Sequence, residues 1–302
     1  MDSELIGVLF VLVCAVTNAI LPVFAKFSSA SYPPIFFAAI SMLLGSLSLF
    51  AVIMCRKKLR DELFSLKFGE LPQHLANGFL GSGIANILFF VGIAAAGSSS
   101  INASIFLQSE MIFSLFISYY FLRERITKQQ VAYTLLVFIG ILAVLFKGSA
   151  LSLSVPELMI LAVPLFWQLG HVFGKRLLKT CSPWVVLFMR MLTGSIVLMA
   201  ASVAFEGNSI QRVAIGNAFL LSALFQGAIV FAAGTIAWYY ALTHINLSKA
   251  SAIIGAAPVL SFLLAWWFLG ETPSAFQLVG LLLVLLGLSL VSLKIKSGIR
   301  PQ

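Results

Sequence analysis

The sequence predicts an all-α polytopic membrane protein: ten transmembrane helices arranged as two inverted five-helix repeats. Three observations carry that prediction. Charged residues make up only 10% of the 302, against 61% hydrophobic, where a soluble domain carries about 25% charge. Apolar runs of about 20 residues, the length needed to cross a hydrocarbon core about 30 Å thick, recur from end to end. The chain also aligns with itself, in register, over two separate stretches. So few charges cannot solvate the surface of a water-soluble fold, which excludes a soluble enzyme, a disordered tail protein and a secreted disulfide scaffold.

The first span, about 4–25, could be mistaken for a secretion signal. Asp2 and Glu4 precede it in place of lysines and no small-x-small site follows it, so it reads as a retained helix. Tyr32-Pro33-Pro34 opens the second, 34–55. The stretch Arg56 to Pro72 is too short for a domain and leads to the third, 73–96, which carries Gly78, Gly81 and Gly83. Gly97-Ser98-Ser99-Ser100 precedes the fourth, 99–121. The fifth and sixth follow at 129–146 and 155–174, and Ser182-Pro183 starts the seventh, 183–205. The eighth, 214–240, holds Gly227 and Gly234 and ends in Trp238-Tyr239-Tyr240. The ninth covers 248–269, and Glu271-Thr272-Pro273 separates it from the tenth, 275–293. Glycines let helices approach closely, and terminal aromatics suit an interfacial belt. Barrel strands would alternate polar and apolar residues in runs of about ten, and this chain does not. Cys14, Cys55 and Cys181 are odd in number and too far apart in sequence for a CxxC-type metal motif, so they read as small hydrophobes.

Orientation follows from the cations. With the N-terminus inside, fifteen of the nineteen lysines and arginines fall on the cytoplasmic side: Arg56, Lys57, Lys58, Arg60 and Lys67, then Arg123, Arg125 and Lys128, then Lys175, Arg176 and Lys179, then Lys249, and finally Lys294, Lys296 and Arg300. Only Lys26, Lys147 and Arg212 face the other way, and Arg190 lies within a span. The positive-inside rule then puts both termini in the cytoplasm and calls for an even number of spans.

At an offset of 149, residues 15–46 align without gaps on 164–195, matching Lys26, Pro34, Met42, Gly45 and Ser46 with Lys175, Pro183, Met191, Gly194 and Ser195. At an offset of 147, residues 103–140 align on 250–287, matching Ser104, Ser114, Glu124, Gln130 and Gly140 with Ser251, Ser261, Glu271, Gln277 and Gly287. Composition bias matches leucines, not these residues. The chain divides accordingly into a first repeat, 1–148, and a second, 149–302, forming one integral membrane unit. Five spans is an odd number, so the second repeat enters the membrane upside down. Inverted repeats are a transporter architecture, because two nearly equivalent halves can exchange conformations around a midplane site.

The segment Phe121-Leu122-Arg123-Glu124-Arg125-Ile126-Thr127, with Gln130 and Gly140, resembles the end of the fourth span in the EamA family of the drug/metabolite transporter (DMT) superfamily. Phe268-Leu269-Gly270-Glu271-Thr272 repeats it near the ninth span, and Gly255-Ala256-Ala257-Pro258 resembles that family's small-residue-plus-proline helix entry. The resemblance covers nearly the whole chain. Three positions depart from the pattern: Thr17-Asn18 stands where a Trp-Gly pair is usual, with Phe166-Trp167 in the second repeat; Ser41 stands opposite Arg190; and Met111 follows Glu110 in place of proline. The resemblance implies a transporter and favours export of amino acids or related zwitterions.

Ionisable groups inside spans are costly and face a cavity or a partner. Glu110, eleven residues into the fourth span, is the leading candidate. Such a carboxyl can exchange a proton on opening to water or pair with a substrate ammonium, and it can equally serve as a helix-to-helix hydrogen bond. Arg190 lies about 10 Å below the cytoplasmic end of its helix at 1.5 Å per residue. It suits a substrate carboxylate, or protein carbonyls. His171, one turn before Lys175, reads as an interfacial or a binding histidine. Asn18, Asn86, Asn102, Gln168 and Gln226 are uncharged polar residues in spans, and Trp167 is aligned with Asn18 by the repeat. The substrate-binding set expected is therefore Glu110, Arg190, Asn18, Asn86, Trp167, Gln168, His171 and Gln226, with Glu110 also the proton-coupling group.

These features predict a secondary transporter, an exporter of small polar metabolites, working by alternating access in the inner (cytoplasmic) membrane. Its partners are a small-molecule substrate, the lipid bilayer and protons, with no nucleic acid, as a monomer or homodimer. No Walker motif occurs, which disfavours ATP-driven transport, and no cofactor, metal or catalytic residue is expected. An importer or exchanger of an anionic or nucleotide-linked metabolite is the alternative within transport, though it would call for more midspan cations. A non-transporting receptor or scaffold predicts no flux. A lipid enzyme would need clustered His, Asp, Glu or Cys, and the three histidines, His74, His171 and His244, are scattered.

Overall fold

Long apolar runs with proline or serine at their heads fold as helices because lipid offers no partner for a backbone amide, and only a helix pairs those groups within one segment. A computed structural model describes residues 3–95, 97–122, 127–146, 153–245, 253–254 and 257–295. Its elements are helical, without strands among the described residues. Eight helices among these residues are long and apolar enough to cross a membrane, and Ala257–Leu269 and Ala275–Leu290 are shorter apolar helices.

In order they are α1 (Ser3–Ser29), α2 (Pro34–Cys55), α3 (Lys57–Phe64), α4 (Leu71–Gly78), a π-helical segment (Phe79–Ile84), α5 (Ala85–Ala94), α6 (Ser100–Phe106), a 3-10 turn (Leu107–Ser109), α7 (Glu110–Leu122), α8 (Lys128–Leu145), α9 (Val155–Leu177), α10 (Pro183–Ile210), α11 (Asn217–Leu224), a second π-helical segment (Phe225–Ala233), α12 (Gly234–His244), α13 (Ala257–Leu269) and α14 (Ala275–Ile295). The third, fourth and eighth spans are thus interrupted helices. The stretch expected as a plain connection contains α3, whose Leu59 is buried while its cations are exposed. Helix α10 runs past the expected 205 to Ile210. Its extension carries Glu206, whose carboxylate accepts from the Ile35 and Phe36 amides at the head of α2. Of the residues read as the ninth span, 248–252 and 255–256 lie outside the described set, as do Arg123, Glu124, Arg125, Lys147, Lys249, Lys296 and Arg300 from the orientation argument and the motifs.

The helices group into two compact units that cut across the sequence halves. One comprises Met1–Val23, Gly97–Leu161 and Ala237–Gln302; the other comprises Phe24–Ala96 and Ala162–Ile236. Covalently, the chain passes from one to the other inside α1, α9 and α12, and between α5 and α6. Two of those passages fall within a turn of Pro22 and Pro164, prolines inside helices that each remove a backbone hydrogen bond.

In the second unit α2 packs along α10, at van der Waals contact between small residues. A Cβ on Gly45 would lie 2.4 Å from Met191, and one on Gly194 would lie 2.7 Å from Met42. Gly78 abuts the Arg190 carbonyl in the same manner as Gly227 abuts that of Ser41. In the first unit α8 packs along α14, with Gly140 against Gly280 and Val284, and Gly287 against Tyr133 and Val137.

Carboxylates hold several helix heads, where unpaired amides and the positive end of the helix dipole attract negative charge. Glu62 accepts from the Ser182 amide before α10. Glu157 pairs with Ser154 at the head of α9. Glu271 accepts from the Ser99 and Ser100 hydroxyls and from the amides of Ser100 and Ile101 at the head of α6. At the other pole, the Lys26 ammonium donates to the carbonyls of Ile93 and Ala95 at the end of α5.

Candidate functional site

In the first unit the fourth span breaks at Leu107–Ser109. This stretch tightens to a 3-10 turn before α7 restarts at Glu110, and a 3-10 stretch inside a longer helix often marks a functional hinge. Ser109 anchors the break by donating to the Leu161 carbonyl at 3.0 Å, while Gln108 turns back onto the Ser104 carbonyl. Glu110 therefore sits half-buried in the first turn of α7, inside the apolar run. Cys14 of α1 lies nearby. The Asn18 amide donates to the Cys14 carbonyl at 3.0 Å and to its sulfur at 3.3 Å. The break thus associates Glu110 with the Cys14–Asn18 turn of α1.

The second unit holds the other expected residues. Arg190 is buried on α10. Its Nε donates to the Ser82 hydroxyl at 3.1 Å and its Nη2 to the Gly81 carbonyl at 2.9 Å. Both acceptors lie in the π-helical segment, where the widened backbone leaves carbonyls that a side chain can fill. Gly81 makes the approach possible, since a Cβ there would lie 2.9 Å from the guanidinium. His171 of α9 stands near enough for the charges of Arg190 and Lys175 to act on it. Trp167 and Gln168, a turn earlier, are half-buried. Asn86 is buried and donates to the Ser82 carbonyl of its own helix at 2.7 Å, the helix-satisfying role. Gln226, in the second π-helical segment, is fully buried with neither amide atom hydrogen-bonded.

Residues outside the expected set share that property. His74 and Asn77, one turn apart on α4, are fully buried, and both ring nitrogens and both amide atoms have no hydrogen-bond partner; the Ser41 hydroxyl is likewise buried and unpartnered. The Asn77 amide is aimed at Gly174 of α9, with Nδ2 3.6 Å from where a Cβ would stand. A signal for Asn77 was present in the chain: the offset of 149 carried past residue 46 matches Asn77 with Gln226 and Gly78 with Gly227. Each buried polar group left unpaired costs about 1–3 kcal/mol. In a membrane protein such groups mark where water or a solute enters.

Membrane-length helices interrupted by π and 3-10 segments, with ionisable and unpaired polar groups at or beside the interruptions, fit a multi-pass membrane protein of the transporter class. The profile of the EamA-like transporter family matches residues 5–146 and 155–293, and the chain belongs to that family. A protein of Archaeoglobus fulgidus described only as a transporter is 29% identical over 88% of this chain and 91% of its own. A probable terminal-alkyne amino-acid exporter of Streptantibioticus cattleyicolor is 24% identical over 63% of each chain. A probable amino-acid metabolite efflux pump of Salmonella typhimurium is 24% identical over 62% of this chain and 65% of its own. A solved crystal structure shares the fold at a TM-score of 0.68 over 97% of both chains, with 17% identity.

Proposed function

We propose that the protein is a secondary transporter that exports small polar metabolites, amino acids or related zwitterions first among them, across the inner membrane by alternating access. The observation that carries this reading is the broken fourth span, which sets the Glu110 carboxylate at a helix head inside the apolar run. Glu110, in the first turn of α7 inside the apolar run, takes a substrate ammonium or a coupling proton in this reading. The substrate class rests on family membership and on the two relatives named for amino-acid export.

The inverted ten-span repeat is supported by the paired contacts of Gly45 and Gly194, and of Gly140 and Gly287. Two-fold-related surfaces pack so that residue i meets j while j's counterpart meets i's. Both termini in the cytoplasm follow from the cations. In the first unit Asn18 joins Glu110 as a proposed substrate-binding residue; in the second unit the proposed residues are Asn86, Trp167, Gln168, His171, Arg190 and Gln226, to which Asn77 and His74 are added for their unpaired buried groups. Helices weakened by Pro22 and Pro164 where the chain passes between units suit a fold whose parts must move.

Reconstituted vesicles test the proposal. Labelled amino acids are expected to cross, and no flux of any solute, with or without a proton gradient, would sink it. Glu110→Gln is expected to abolish the pH dependence of flux while leaving the melting temperature in detergent unchanged. An unaltered pH profile removes Glu110 from the mechanism.

A further inference from the structure

The hairpin of α7 and α8 carries a surface feature outside the proposed substrate-binding residues. Its helices bound a shallow, open groove of about 340 Å³ lined by Leu115, Phe116, Tyr119, Tyr120, Lys128 and Val131. Tyr119 and Tyr120 are 55% and 69% exposed, their rings edge to face at 5.1 Å. Lys128 opens α8 and is exposed. Tyrosines at a helix end place an apolar ring against hydrocarbon and a hydroxyl at the water. Apolar side chains beside two phenols and an ammonium match a phospholipid, with acyl chain below and phosphate above.

The second repeat supplies an internal comparison. Tyr119 and Tyr120 correspond, at the offset of 147, to Trp266 and Trp267, also strongly exposed. The Thr127–Gln130 capping box of α8 corresponds to Ser274–Gln277, which forms the same reciprocal hydrogen bonds at the head of α14. Helix start and exposed aromatic pair are therefore common to both hairpins. The cation is not: Lys128 corresponds to Ala275. A hairpin of this kind folds without positive charge at this position, so the charge that Lys128 brings to one groove is an added property.

We propose that the α7–α8 groove binds an anionic phospholipid, its phosphate at Lys128 and the Tyr119 and Tyr120 hydroxyls and its acyl chain along Leu115, Phe116 and Val131. A basic residue at an anionic membrane surface contributes about 1 kcal/mol, about fivefold in affinity. The test is native mass spectrometry of the full chain in detergent, titrated with phosphatidylglycerol or phosphatidylcholine of identical acyl chains. Phosphatidylglycerol is expected to bind about fivefold more tightly. Lys128→Ala, the residue that stands in the second repeat, is expected to erase that preference, Lys128→Arg to keep it, and Lys58→Ala, which removes an exposed cation elsewhere, to leave it intact. Equal binding of the two lipids overturns the proposal. So does a preference that survives Lys128→Ala or is lost equally in Lys58→Ala. Displacement of the lipid by inorganic phosphate at matched concentration would also overturn it, because a free anion would then be the occupant.

Discussion

Replacing Gly227 with alanine tests the packing on which the second unit rests. The new Cβ would lie 1.9 Å from the Ser41 carbonyl oxygen, 2.7 Å from the Gly45 nitrogen and 2.9 Å from the Ser41 carbonyl carbon. All three are backbone atoms, so no side chain can swing away. Carbon–oxygen contacts settle at about 3.3 Å, and α2 must therefore part from the π-helical segment by about 1.4 Å. A gap of about 0.5–1 Å already forfeits a quarter to a half of each dispersion contact. Overpacking typically costs about 1–3 kcal/mol, and a clash with rigid backbone belongs at the upper end, about 3 kcal/mol. Alanine's better helix propensity returns at most about 1 kcal/mol. At about 2 °C per kcal/mol for a large chain, Gly227→Ala should lower the melting temperature in detergent by about 4–6 °C. Gly207 in α10 has nothing within 4 Å of its would-be Cβ, so Gly207→Ala should match or slightly exceed the parent. Thermal unfolding followed by tryptophan fluorescence and by size-exclusion recovery measures both. If Gly227→Ala melts at or above the parent, the close packing of this segment on α2 is wrong.

Other expectations follow from the same contacts. Glu271 accepts four hydrogen bonds at the head of α6, so Glu271→Ala should destabilise by about 2–3 kcal/mol. Glu271→Gln should fall between, because its amide still accepts but presents a donor to donors; equal melting of all three forms would remove the cap. Arg190→Lys should lower stability although charge is kept, since an ammonium lacks the planar fork that reaches the Ser82 hydroxyl and the Gly81 carbonyl together; an unchanged melting curve would count against that bridge. Among the thiols, Cys55 is exposed while Cys14 and Cys181 are buried, so N-ethylmaleimide should modify Cys55 first. Burial pushes the Cys181 thiol above its ordinary range, so in a Cys14→Ser, Cys55→Ser variant its thiolate should form, and labelling accelerate, only at more alkaline pH than for a free thiol. Fast labelling at neutral pH would contradict the closed turn between α9 and α10.

Much of this molecule is legible in its sequence. Helix type and approximate span limits follow from apolar run length, because nothing but run length decides whether a helix can cross hydrocarbon. The glycines that mediate close packing, Gly45, Gly194, Gly140 and Gly287, are the residues that the internal alignment matches. The interruptions were not legible. Phe79–Ile84, Leu107–Ser109 and Phe225–Ala233 carry no proline, and a π or 3-10 turn of ordinary residues is chosen by what packs against it. The work of Glu206 at a helix head was equally hidden, because nothing local in the sequence singles that residue out. The partner amides of Glu206, at Ile35 and Phe36, lie 171 and 170 residues away.

The sequence by itself determined the solvent this chain must live in, its helical backbone and its internal similarity, since hydrophobicity, hydrogen-bond satisfaction and self-alignment are properties of segments. Tertiary structure alone decided how segments divide into two compact units across the sequence halves, and which polar groups are spent on holding helices. It put Arg190 onto a π-helical carbonyl and left Asn77 and Gln226 buried without partners. The physical reason is distance along the chain. A hydrogen bond or a helix–helix contact is settled by whichever group arrives from afar, and local composition does not encode that group's arrival.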